Sequence, residues 1–530
     1  MDDPDPPPGS AAAPRRLTAG LAAGAAVVTV GMWTHRASIP VSNDDVAYLL
    51  DACGLVGPRS LEWGPGYAAV YCLLRRVASD PLTAFWAKQS AVPLLAGLLV
   101  HRLGLRFRLG PVLASLSALW CVLALLAVNG TVEFAFVLGL TACLAAVSGE
   151  RWGWVWFFVF MGLALLVRFE YVVAVAGAMA LLLWGREEGV GWGRAAGALI
   201  LAGFVGLVAA YGREAGGRSW FAFGQLFAVN YAEARGIDLD PVEWQRATGQ
   251  VFPHSRSIAG ALRENPRMVA WHVAYNLIVR MPRAAAGALV PVPSFVPWLR
   301  SRAVVAVLVL VLVLVAALGG AGGDGLRGPR RLPLIALATV PAVSLLFRPQ
   351  SRHFLPLLPL AIAIVGTRLR RRPGERHPRL VAALRLAFGG VLLAGLASAW
   401  VTWAAPANGA ASMDSWIREL REETRARPVR LLASWYGDRV CRLVGPGCRP
   451  VSLPEFIDGQ EIDAALIGPD WAKRSDVRGD DRLAGFASRP EDLGCQAGAV
   501  LPEGFRVVRC HPPLRRRPRP PAASADGRSG

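Results

Sequence analysis

The chain has 530 residues, 54% of them hydrophobic and 18% charged, with a mean hydropathy of +0.38. Water-soluble domains carry about 25% charged residues, so this composition excludes a disordered chain, a disulfide mini-domain, a collagen-like repeat and a conventional soluble multi-domain protein. It points to a polytopic α-helical membrane protein. Only Lys88 and Lys473 among the 57 basic residues are lysine. The net charge of +19 would suggest nucleic acid in a soluble protein, but here much of it sits between hydrophobic runs and reports topology, so nucleic acid is not an expected partner.

Residues 1–16 start acidic, are rich in Pro and Ala, and are expected to be a disordered cytoplasmic N-terminus. Apolar runs of roughly 16–20 residues mark about eleven membrane spans. They lie near 17–33, 84–103, 109–128, 131–148, 153–167, 171–184, 195–211, 303–318, 332–347, 353–367 and 381–403. The run after Arg15–Arg16 begins as a signal peptide does, but many spans follow and no small-residue cleavage pattern stands out, so it reads as an uncleaved first helix. Residues 153–184 equally suit one broken or tilted element.

With the N-terminus inside, the short inner loops hold Arg102, Arg106, Arg108, Arg151, Arg186, Arg194, Arg327, Arg330, Arg331 and the cluster from Arg368 to Arg379. The short outer loops hold Arg168, Arg348 and Arg352. This bias predicts a multi-pass protein of the bacterial inner (cytoplasmic) membrane, its transmembrane domain covering 17–403. Two long outer loops, 34–83 and 212–302, and everything from 404 onward then lie outside.

Cysteine usage agrees with that topology, because Cys441, Cys448, Cys495 and Cys510 form an even set suited to an oxidising compartment. Of three possible connectivities, Cys441–Cys448 with Cys495–Cys510 is the first choice, and the CxxC spacing of zinc sites is absent. Cys121 and Cys143 sit in apolar spans as packing residues. Residues 404–511 read as a small extracytoplasmic α/β domain, with a helix over Asp414–Arg425 capped by Asp414 or Ser415 and short strands at Val429–Ala433 and Ala464–Ile467. The Arg/Pro-rich tail 512–530 is expected to be disordered.

The residues that carry chemistry begin with Ser42-Asn43-Asp44-Asp45, shortly after the first span. Adjacent carboxylates close to a membrane are costly unless solvated, paired or used, although Asn43 or Asp44 equally suits the N-cap of a helix through Tyr48–Leu50. Trp63-Gly64-Pro65-Gly66-Tyr67 opens an amphipathic helix ending near Arg75–Arg76, too short to span and suited to the interface. Lys88 begins the second span, where snorkelling accounts for it. Trp220, Trp244, Trp271 and Trp298 in the long outer segment suit either interfacial anchoring or stacking on a sugar.

An acidic pair outside the first helix followed by a Gly-Pro-Gly-Tyr interfacial helix resembles the GT-C integral-membrane glycosyltransferases. This is the superfamily of the bacterial lipid A aminoarabinose transferases and the protein O-mannosyltransferases. Three further stretches carry the resemblance. Asn129-Gly130-Thr131-Val132-Glu133 places an acid at an outer turn. Val167-Arg168-Phe169-Glu170-Tyr171 is similar to the family's Arg-Pro-Glu, with Phe169 in place of proline. Arg352-His353-Phe354-Leu355-Pro356-Leu357-Leu358-Pro359 resembles its late Arg-Tyr-x-x-Pro-x-x-Pro helix.

The resemblance implies a transferase that moves a sugar from a polyprenyl-phosphate donor to a cell-envelope glycan, lipid or protein, with inversion, at the outer membrane surface. It maps the catalytic base onto Asp44 or Asp45, Asp44 being preferred, and a second acid onto Glu133. Glu133 would position the acceptor or, as in some branches, hold a divalent metal; as a plain loop acid it would suit a helix N-terminus. No other cofactor is implied. The leaving phosphate needs cations, and arginine binds it bidentately. Arg352 is the first choice, with Arg168, Arg348 and His353 beside it and Glu170 and Tyr67 as further substrate contacts. Arg75 and Arg76 better suit lipid headgroups.

Two family features are missing: a lysine just before the interfacial helix, as in lipid A transferases, and the Trp-Trp-Asp signature, which speaks against transfer to protein asparagine. There is no P-loop, HExxH, nucleophile elbow or strand-borne GxGxxG. The competing readings are a lipid or solute transporter or flippase and a non-catalytic envelope scaffold. Transporters place charges mid-span and show repeated halves, whereas here charge gathers at the outer ends and no repeat is visible.

Overall fold

The computed structural model describes residues 65–78, 80–127, 132–148, 152–184, 191–237, 244–282, 284, 332–347, 351–368, 389–390, 413–433, 437–468, 471, 477, 481–486, 488–501 and 505–514. Helix α1 (Pro65–Val77) starts on a proline, whose fixed φ and missing N–H suit a first helical position. Helix α2 (Pro81–Arg106) starts the same way, and Asp80 caps it by accepting from the Thr83 amide at 3.0 Å and the Thr83 hydroxyl at 2.9 Å. Its 26 residues reach about 39 Å, more than a hydrocarbon core of about 30 Å.

Helices α3 (Pro111–Ala127), α4 (Val132–Val147), α5 (Gly153–Val167) and α6 (Val172–Trp184) follow. Packing of α3 on α2 depends on small residues, because a Cβ at Gly97 would lie 2.6 Å from Val122 Cγ2 and 3.3 Å from the Ala118 carbonyl oxygen. At the far end, Arg106 donates to the Ser148 carbonyl and Arg194 to the Leu182 carbonyl, each at 2.7 Å. These two arginines therefore sit at the carboxyl ends of α4 and α6, where bare carbonyls and the helix dipole favour a cation.

Helix α7 (Gly191–Arg235) runs 45 residues, about 67 Å, longer than any bilayer is thick. Three short helices come next: α8 (Trp244–Val251), α9 (Ile258–Glu264) and α10 (Pro266–Tyr275), the last continued by a π-helical turn, Asn276–Arg280. The described part of 212–302 is thus largely helical, where the sequence reads as a loop. A core of Phe223, Phe227, Phe252, Ala261 and Val269, flanked by Trp220, Tyr231, Trp271 and Phe347, holds these helices together.

Helices α11 (Leu332–Leu337) and α12 (Val340–Val343) lead through a 3-10 turn, Ser344–Leu346. A second 3-10 turn, Ser351–Leu357, opens α13 (Leu358–Arg368). Among the described residues α2 is the one helix long and apolar enough to cross a membrane by itself, accompanied by shorter apolar helices at 111–122, 134–147, 153–167, 169–183, 332–346 and 353–363. These coincide with expected spans; 17–33, 303–318 and most of 381–403 lie outside the described residues.

The C-terminal portion opens with α14 (Met413–Ala426) and forms a five-stranded sheet in the order β2-β1-β3-β5-β4. Its strands are β1 (Val429–Ala433), β2 (Cys448–Val451), β3 (Ile462–Ile467), β4 (Cys495–Val500) and β5 (Arg506–Leu514). β1 pairs in parallel with β2 and β3, while β5 runs antiparallel between β3 and β4. Every residue of β3 is buried, including Asp463, whose carboxylate pairs with Arg430 at 2.9 Å and Arg427 at 3.2 Å; the expected strand Ala464–Ile467 is its apolar part. Helix α15 (Gly437–Val444) joins β1 to β2, and both expected disulfides are present, Cys441–Cys448 and Cys495–Cys510.

Three expectations are corrected here. Asp414 and Ser415 lie inside α14, which begins at Met413, so neither is the N-cap. Residues 512–514, expected to begin a disordered tail, belong to β5, with Leu514 pairing with Ile462 across a bulge; 515–530 lie outside the described residues. Lys88 does not snorkel: its residue is 2% exposed, with Nζ 6.0 Å from the Tyr71 ring centre and 5.8 Å from that of Phe85.

The sheet portion is joined to the helical portion by a shared apolar core. It includes Leu82 and Phe85 of α2, Tyr71 of α1 and Trp416, Ile417 and Leu420 of α14. Arg421 pairs with Asp80 at 2.9 Å and donates to the Leu443 carbonyl at 2.8 Å, tying the α2 cap to α14 and α15.

Candidate functional site

The described parts of the resemblance motifs meet at one end of the helical portion. Glycine at 66, in the first turn of α1, allows close contact with the end of α5, since a Cβ there would lie 3.1 Å from the Leu166 carbonyl carbon and 3.2 Å from Val167 Cγ2. The next residue along α5, Arg168, leaves the helix with φ −146° and ψ 111°. Proline after it would force that extended conformation sterically. Phe169 reaches the same break without proline, packing edge-on against Phe204 with ring centres 5.9 Å apart. A single 3-10 turn, Phe169–Tyr171, then leads into α6, so 153–184 is two helices joined by a short turn.

Within that turn Arg168 Nη2 donates to Glu170 Oε1 at 2.7 Å, with both side chains partly buried. The Glu170 carboxylate is acted on by the charge of the Arg168 guanidinium and by that of His353 from a distant part of the chain. Residues 170 and 353 are thus electrostatic neighbours despite their separation in sequence. Phe136, Val137 and Leu140 of α4 pack with Leu355 and Leu358 of the late motif, bringing the start of α4 to the same end. A Cβ at Gly139 would lie 3.2 Å from the buried Tyr171 ring, which closes the group.

Glu133 is the second residue of α4, Tyr67 the third of α1 and Arg352 the second of the 3-10 turn Ser351–Leu357. Asp44, Asp45 and Arg348 lie outside the described residues. Among the described residues no three His, Cys, Asp or Glu side chains gather as a metal site. Arg75 is half-buried and Arg76 exposed on α1.

A second polar cluster went unread in the sequence. Asn230 and Glu233 of α7 face His272, Asn276 and Arg280, which recur every four residues along α10 and its π turn. Asn230, His272 and Asn276 are fully buried, and Arg280 nearly so. Asn230 Nδ2 donates to His272 Nδ1 at 3.2 Å and to Asn276 Oδ1 at 2.8 Å, while Arg280 Nε donates to Asn230 Oδ1 at 3.1 Å. Arg280 also pairs with Glu233. The polar four-residue period inside an aromatic segment was the available signal, masked by the tryptophans around it.

No family model and no curated protein matches the chain. Among solved structures, the archaeal oligosaccharyltransferase AglB from Archaeoglobus fulgidus, in complex with an inhibitory peptide and a dolichol-phosphate, is similar over 90% of this chain and 72% of its own, at 13% identity and a TM-score of 0.43.

Proposed function

We propose that the protein is a membrane glycosyltransferase of GT-C type that transfers a sugar from a polyprenyl-phosphate donor to a cell-envelope acceptor. The supporting observation is the convergence of sequence-distant motifs: Gly66 against Leu166–Val167, Arg168 paired with Glu170, and His353 within electrostatic reach of Glu170. Disulfides in the C-terminal sheet, and the disulfide-bonded Cys72 of α1, favour an extracytoplasmic position for both elements.

In the proposed step an acceptor hydroxyl oxygen attacks the anomeric carbon on the face opposite the phosphate. The new carbon–oxygen bond forms as the bond to the phosphate oxygen breaks, the configuration inverts, and Asp44 or Asp45 takes the acceptor's proton. Glu133 orients the acceptor. Arg168 is already neutralised by Glu170, so that pair shapes the turn, and the charge of the departing phosphate falls to Arg348, Arg352 and His353. Tyr67 is proposed as a further substrate contact.

The test compares wild type with Asp44→Asn and Asp45→Asn, each expressed to normal level, followed by extraction of lipid-linked sugars from the host. Accumulation of a polyprenyl-phosphate sugar in one variant identifies donor and base together. Unchanged pools in both, with a wild type that consumes no donor, would refute transfer and favour a transporter or scaffold.

A further inference from the structure

Helix α10 and its π turn carry their polarity reversed. Along Pro266–Arg280 the side chains of His272, Asn276 and Arg280 are buried, whereas the exposed positions after Arg267 are Ala270, Ala274, Leu277 and Ile278. Residues 267, 270, 274, 277 and 278 follow helical spacing, so they form one stripe that starts on a charge and is apolar from there on. Leu277 is 48% exposed and Ile278 71%. Single exposed apolar side chains are ordinary. A stripe that stays apolar over two turns, opposite a face holding the buried histidine, amide and guanidinium, is the inverse of a helix bathed in water.

The inward face ties the segment to the end of an apolar element. Asn276 Nδ2 donates to the carbonyls of Leu345 at 2.9 Å and Phe347 at 2.7 Å, where the apolar element 332–346 ends. Leu277 and Ile278 therefore come one and two residues after a group bonded to the end of an expected span. Trp271 and Tyr275, half-buried with ring centres 5.4 Å apart, are of the aromatic types that gather at membrane interfaces. The 10 residues of α10 and 5 of the π turn reach about 22 Å, short of a hydrocarbon core of about 30 Å, so the segment can lie along a membrane but not cross it. Charge on the surrounding surface is one-sided. Among residues 244–282 Arg246, Arg256, Arg263 and Arg267 are exposed, while the single acid, Glu264, accepts from the Ser255 hydroxyl and from the His254 amide at 3.1 Å.

We infer that α10 and its π turn lie along the membrane interface, with Leu277 and Ile278 among the acyl chains and Arg263 and Arg267 against the headgroups of anionic lipids. An occupant of that chemistry accounts together for the apolar stripe, the aromatic pair and the surplus of arginine. Part of the segment that reads in sequence as an outer loop is then a platform seated on lipid, with the His272 and Asn276 side chains on its protein side. The inference rests on the membrane reading and not on sugar transfer.

The experiment uses the full chain in lipid nanodiscs of phosphatidylcholine, pure or mixed with phosphatidylglycerol. A nitroxide label is attached at Leu277→Cys and, separately, at Ile278→Cys, exposed positions where substitution spares the core; Cys121 and Cys143 are buried, and unsubstituted protein gives their background. Collision of the label with molecular oxygen, which dissolves in acyl chains, should exceed collision with a water-soluble nickel chelate severalfold at both positions. Phosphatidylglycerol should raise that ratio further, and Arg263→Gln combined with Arg267→Gln should abolish the rise. Chelate collision as frequent as that of oxygen would place the stripe in water, and rare collision with either would place it against protein, whether a second copy or another segment of this chain. Each of these two results would overturn the inference. A ratio indifferent to phosphatidylglycerol would overturn the assignment of anionic lipid. None of the readouts uses activity, so the transfer reading stands or falls separately on its own test.

Discussion

Acidification should weaken the α7–α10 unit through one side chain. His272 is fully buried, and burial draws its pKa from the ordinary 6.5 to about 4 despite hydrogen bonds to the 346–347 backbone that pull the other way. Folded protein then binds fewer protons at this site than unfolded protein between those values. Stability from this source is whole above about pH 6.5 and falls as the pH drops toward about 4. At about 1.4 kcal/mol per pH unit, the full effect is about 3 kcal/mol, and about 2.5 kcal/mol is lost by pH 4.5. A proton added at Nδ1 would face the Asn230 amide hydrogens, with the Arg280 cation close behind and Glu233 beyond it. Trp220 and Trp271 flank the core of the unit and contribute to the tryptophan emission of the chain, so the unit's share is read from the difference between wild type and variant. Denaturant unfolding of the full chain in nanodiscs, near pH 7 and near pH 4.5, should show a loss in wild type that His272→Gln lacks. Glu264, held below its usual range chiefly by the Ser255 hydroxyl, loses its contribution in both proteins and cancels. Equal acid losses in wild type and His272→Gln would refute the reasoning.

Two further outcomes are expected. Arg168→Ala strands the partly buried Glu170 carboxylate and should cost about 1–3 kcal/mol, with Glu170→Gln costing less; a double-mutant cycle on thermal stability should give a coupling near 1 kcal/mol, and strict additivity would show the pair to be uncoupled. Replacing Cys495 and Cys510 together by alanine removes a crosslink closing 15 residues between β4 and β5, and should lower stability by about 3 kcal/mol in chemical unfolding of the full chain, with no loss counting against the sheet pairing.

Much of the architecture could be read from local pattern. The apolar runs became α2 to α6 because a helix is the local way for such residues to satisfy their backbone in lipid. Pro65 marked a helix start through its own geometry, and the apolar run Ala464–Ile467 became part of the central strand. Arg168 and Glu170 stood out as charges at the end of a span, and in the folded chain they pair.

Other features arose only from contact between distant segments. The described part of the loop expected at 212–302 is built largely from helices because aromatic residues of α7, α8 and α10 bury one another, a gain no single window displays. Lys88 reads as an ordinary span-flanking lysine until α1 folds over it and places Tyr71 against its ammonium group. Phe169 lacks the proline that would break a helix by local sterics, and Phe204 from α7 packs against it across the turn. The neighbourhood of Glu170 and His353, and the grip of His272 and Asn276 on Leu345 and Phe347, are likewise pairings across long stretches of chain. Propensity, capping and hydrophobic period act over a few residues and were determined by the sequence alone. Which polar groups share a buried site depends on how whole helices close against one another, and that was decided by the tertiary structure.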